Sequence, residues 1–137
     1  MRCTRTIILM TLFSTAVMAA DHGPAGIKME HPGDTALSEE GSGNWVYKSF
    51  PGLGRLYIHD GDGKLLSRCN EGCASAWPPL AASIGKVGEQ VGDWTIIARD
   101  EGGRQWAYRG HPVYTRFHDL QEDAQSLAAE GFHLLTP

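Results

Sequence analysis

Two of the three cysteines, six histidines and a cluster of turn aspartates carry most of the chemistry open to this chain, Cys3 lying within the leader-like amino end. Cys69 and Cys73 follow a C-x3-C spacing. In an oxidising compartment such a pair closes a small loop as a disulfide, worth roughly 2 kcal/mol in the chain-entropy model. Two other readings use the same sulfurs. A thiol–disulfide redox pair ordinarily wants C-x-x-C at a helix start within a βαβ unit. A zinc site completed by His59 falls within the tolerated ligand spacing, although oxidation competes with it. The structural disulfide is the expectation.

The histidines suggest metal chemistry at the amino end. Cleavage of a leader after Ala19 would leave a chain beginning Ala20-Asp21-His22. A free amine, two backbone amides and an imidazole then form a square-planar nitrogen set suited to copper(II) or nickel(II). Met29 and His31 would add further ligands. Cleavage one residue later removes the arrangement, and the competing reading is a tail whose histidines are incidental. His59 and His118 lie in two similar loops and could present a shared polar patch, or simply be solvated.

Other constellations are missing. Asp60-Gly61-Asp62-Gly63 resembles the start of a calcium loop, but Lys64 and Leu65 occupy the places that need an oxygen ligand and a glycine, so it reads as a turn. No nucleophile elbow, phosphate-binding loop, dinucleotide fingerprint or zinc-protease motif occurs, and no catalytic residue is assigned. Trp45, Trp77, Trp94 and Trp106 either line a ligand groove or, at ~200 Å² buried apiece, supply the bulk of a small core.

The elements that must position these residues begin after an address. Arg2 and Arg5 precede an apolar run over residues 7–17, and small residues through Ala20 follow, as in a secretory leader. The run is too short for a membrane span, and no cysteine follows it to take a lipid. A periplasmic or secreted location is expected. Without Arg2 and Arg5 the remainder carries 10 basic against 16 acidic side chains. That acidic balance disfavours nucleic acid as a partner. Residues 21–43 are rich in Gly, Pro, Glu and His without apolar periodicity and are expected to be a flexible tail.

From residue 44 onward the texture is that of short strands and turns. Strands are expected over residues 45–50, 55–59 and 64–68, the last two joined by the Asp-Gly turn. A short helix over 70–77 stops at Pro78 and Pro79. Residues 94–99 and 104–109 flank Asp100-Glu101-Gly102-Gly103 as a hairpin, and 113–117 makes a short strand. Asp119 and Glu122 form a capping box for a helix ended by Gly131, before a last strand over 132–135.

Two stretches echo each other: Tyr57 is followed by Asp62, and Tyr114 by Asp119, each after a turn and an apolar residue. With the block running from Cys69 and Cys73 to Trp77-Pro78-Pro79-Leu80, this resembles the bacterial secreted-repeat family, uncharacterised lipoproteins with a Tyr-x-aromatic-x-x-Asp motif. The resemblance spans about residues 45–135. His59 and Arg116 stand at the aromatic place of the motif, and the lipid-anchor cysteine is missing. The resemblance implies a fold and a compartment, and no activity.

The expectation is a mainly β protein: a small antiparallel domain over residues 44–137, built from two related Tyr-x4-Asp halves with two short helices. Tyr57, Asp62, Tyr114 and Asp119 are read as fold determinants, each Asp holding its loop through backbone N–H groups. The functional expectation is a non-enzymatic cell-envelope binding module for an envelope component or small ligand. A periplasmic copper-handling protein and a thiol-redox protein are the alternatives.

Overall fold

The computed structural model describes residues 29–116 and 124–137, and the fold is mainly antiparallel β with two short helices. Strands β1 (Thr35–Glu40) and β2 (Asn44–Ser49) form a two-stranded hairpin. The other six are β3 (Tyr57–His59), β4 (Gln90–Val91), β5 (Trp94–Ala98), β6 (Arg104–Tyr108), β7 (His111–Tyr114) and β8 (Phe132–Leu134). They make one sheet in the order β4-β5-β6-β7-β3-β8, with every pair antiparallel.

The hairpin β5–β6 forms where alternating apolar residues flank a Gly-rich turn, Trp94 lying opposite Tyr108 and Ile96 opposite Trp106. Beyond their own tight turn β6 and β7 diverge, and the Trp-Pro-Pro-Leu segment slots between them. Pro79 bridges Tyr114 on one side and Ala81 bridges Gln105 on the other. Prolines suit this place because Leu80 supplies the amide for Val113 and the carbonyl for Trp106.

Side-chain alternation divides the core between the two faces of the sheet. Leu56, Val113, Trp94, Ile96, Trp106 and Tyr108 pack with Tyr47 of the hairpin on one face. Tyr57, Tyr114 and Phe132 face the other way, joined there by Cys69, Trp77 and Leu127. Helix α1 (Gly72–Ala76) ends before Pro78 as expected, and α2 (Ala124–Ala129) brings Leu127 onto the second face.

Two expectations are corrected. Residues 64–68 are no strand: Gly63 and Leu66 close a tight turn, Leu65 has φ 54°, and its amide donates to Gly110 O at 2.8 Å. Both edges of β3 are instead taken by β7 and β8. The flexible-tail reading also fails from Met29 onward. β1 lies wholly inside that segment, Thr35 is buried, and Met29 and Leu37 pack against the first core cluster. Apolar periodicity missed this strand because hydrogen bonds do much of its anchoring. Asp34 accepts from Trp106 Nε1 at 2.8 Å and from Ser83 N at 3.0 Å. Residues 21–28 of the expected tail, and the leader, lie outside the described residues.

Candidate functional site: a closed polar network and an open groove

The motif tyrosines meet at the middle of the sheet, Tyr57 standing directly opposite Tyr114 across β3 and β7. The Tyr114 hydroxyl donates to Asp62 Oδ2 at 2.7 Å. Ser67 Oγ lies 2.7 Å from the same hydroxyl oxygen, and Arg99 Nη1 donates to Ser67 Oγ at 3.1 Å. A hydrogen-bond chain therefore runs from a buried guanidinium through two hydroxyls to a carboxylate that is 2% exposed. Arg99 spends its other donors on Gln105 Oε1, Cys69 O, Asn70 Oδ1 and Glu101 Oε1. Gln105 in turn donates to Val113 O at 2.8 Å. Burial pushes the Tyr114 phenol well up from its ordinary value, with the adjoining Asp62 carboxylate adding to it and Ser67 and Gln105 opposing.

Asp62 also does what its turn position suggests, accepting the Arg68 amide on Oδ1 at 2.8 Å. Its bond to Tyr114, rather than to Tyr57 of its own stretch, was not foreseen. Asp119 and His118 lie outside the described residues. Ser67, Arg99 and Gln105 were missed as members of the network. The one local signal was Gln105, a polar residue at the head of the buried run that ends at Tyr108; Arg99 lies just past β5 and Ser67 outside any strand.

The cysteines form the expected disulfide, with Cα atoms 5.1 Å apart and Cys69 fully buried among Tyr57, Trp77 and Phe132. Sulfurs joined in this way are not thiolate ligands, so the zinc reading with His59 is not borne out. The His59 ring stacks on Phe132 at 4.4 Å, and its Nδ1, 3.5 Å from Asp62 Oδ1, makes no hydrogen bond among the described residues. Phe132 stacks in turn on Trp77 at 3.7 Å, and the Arg116 guanidinium lies 4.6 Å over that indole. Trp77 Nε1 donates to Glu130 at 3.1 Å, and Pro78 O accepts both Thr115 N and Thr115 Oγ1. Trp77 thus belongs to the second core face, while Pro78 and Pro79 join the backbone of β7 and the residue after it.

The histidine tail is divided. His22 lies outside the described residues, while Met29 packs on the core and His31 Nδ1 sits 3.1 Å from Thr35 Oγ1. Among the described residues no group of three His, Cys, Asp or Glu side chains is placed to hold a metal ion. Among them too, no helix is long and apolar enough to cross a membrane.

The four tryptophans part company. Trp77, Trp94 and Trp106 are buried and sit in the core clusters with aromatic neighbours. Trp45 is half-buried, belongs to neither cluster and contacts no other ring among the described residues. It lines an open groove of about 440 Å³ between the β1–β2 hairpin and the segment after β8. Glu40 and Asn44 line it from the hairpin, Leu134 and Thr136 from the opposite side. Hydrogen bonds and charge from Arg55 and Lys48 outweigh burial and hold the Glu40 carboxyl below its ordinary value. No protein-family model matches the chain, and no curated protein or solved structure matches it.

Proposed function

We propose that this chain is an exported, non-enzymatic binding module of the bacterial cell envelope. The observation that carries the reading is the groove beside β2, where a tryptophan outside both core clusters shares the lining with polar Glu40, Asn44 and Thr136 and with apolar Val46, Leu134 and Pro137. An open cleft with a few polar groups around an aromatic surface is how proteins present themselves to a ligand. The buried polar network is consistent with this, because Tyr114, Asp62, Ser67 and Arg99 spend their polar atoms within the fold. The leader-like amino end, the disulfide and the resemblance to the secreted-repeat family support an exported location.

The test is cosedimentation of the purified protein with isolated bacterial sacculi and with outer-membrane vesicles. Retention well above that of an inert protein of similar size and charge is expected on at least one fraction. Recovery entirely in the supernatant of both would end the envelope reading.

A further inference from the structure

We infer that the Trp45 groove takes a neutral saccharide, the C–H face of a pyranose ring lying against the indole. The inference rests on the binding-module reading and names the ligand class of that same site. The Trp45 indole is only partly buried where its three counterparts are buried, and a ligand in the groove would cover the part left exposed. The negative face of the ring attracts the weakly positive C–H groups of a sugar.

The polar lining decides between ligand classes. Asn44 offers an amide that both donates and accepts, and Thr136 a hydroxyl that does the same, which matches sugar hydroxyls. Glu40 accepts hydrogen bonds from a neutral ligand, but its charge is already answered by Lys48 at 2.9 Å and Arg55 at 2.6 Å. A cationic ligand would compete with those two partners. An anionic one would meet the Glu40 carboxylate in the lining, whereas Lys48 and Arg55 are engaged with that carboxylate and do not line the groove. A wholly apolar ligand would cover Asn44 and Thr136 without satisfying them. A neutral polyhydroxylated ring meets every condition.

The probe is chitotetraose, a soluble neutral oligosaccharide of acetamido sugars, titrated calorimetrically into the full protein, Trp45→Ala, Trp45→Phe and Asn44→Ala. Micromolar to millimolar binding is expected, weakened roughly tenfold or more in Trp45→Ala, less in Trp45→Phe and severalfold in Asn44→Ala. Thermal unfolding of each variant shows whether the fold is intact, and Asn44→Ala, at an exposed position, keeps the test open should Trp45→Ala unfold. Absence of binding by the wild type overturns the inference, as does equal binding by the folded groove variants. Cosedimentation of Trp45→Ala separates the two claims. Undiminished envelope retention without chitotetraose binding removes the saccharide site and leaves the module, whereas Trp45-dependent chitotetraose binding without envelope retention does the reverse.

Discussion

Tyr114 illustrates how much one hydroxyl can hold. It closes the chain between Arg99 and Asp62, and removing it leaves a carboxylate buried beside an unanswered serine. Tyr114→Phe keeps the ring in its packing, so its cost isolates the polar term. A loss of about 1–3 kcal/mol is expected, read as a lower urea midpoint with unchanged slope. A midpoint within error of the wild type would mean that the network is incidental to stability. The motif pair was legible from residue types alone, since a strand tyrosine seeks a polar partner and a turn aspartate seeks donors. Which tyrosine meets Asp62 was not legible. That choice depends on the register bringing Tyr57 opposite Tyr114, a long-range fact that no local spacing carries.

At the scale of elements, the β1–β2 hairpin is the piece that sequence patterning misjudged. Its first strand reads TALSEE, too polar to announce itself, and two carboxylates beside it do the mooring. Burial pushes Asp34 up, but hydrogen bonds from Ser83 and Trp106 prevail and leave it below its ordinary value; Glu40 is lowered by Arg55 and Lys48. A carboxyl lowered in the folded state contributes stability above its unfolded pKa and loses it as pH falls through the folded value. The hairpin should therefore loosen in acid, from roughly pH 4 downward. In Asp34→Asn the fall of the thermal midpoint between pH 5 and pH 3 should be shallower than in the wild type. Parallel curves would show that Asp34 is not a mooring charge. The β5–β6 hairpin, by contrast, was fully legible, because apolar alternation and a Gly-rich turn are both local. The return strand expected over residues 64–68 failed for the opposite reason, since its supposed partner β3 was claimed from both sides by distant strands.

For the whole molecule, the packed part of the chain begins well before residue 44, with β1 paired to β2 and Met29 against the core. A chain beginning at Asn44 lacks β1, Asp34 and the packing of Met29 and Leu37. It should show weakened near-ultraviolet dichroism and a broad, lowered melting transition beside a chain beginning at Met29. Equal cooperativity in the two would restore the tail reading. The sheet order has a consequence for timing. β3 lies between β7 and β8, yet it is made well before either. As the polypeptide lengthens from its amino end, Tyr57, Ile58 and His59 have no sheet to join until residues 111–134 have emerged. The fold closes from its last-made quarter backward, so a nascent chain halted at Gly110 should be cut readily by protease where the finished protein resists.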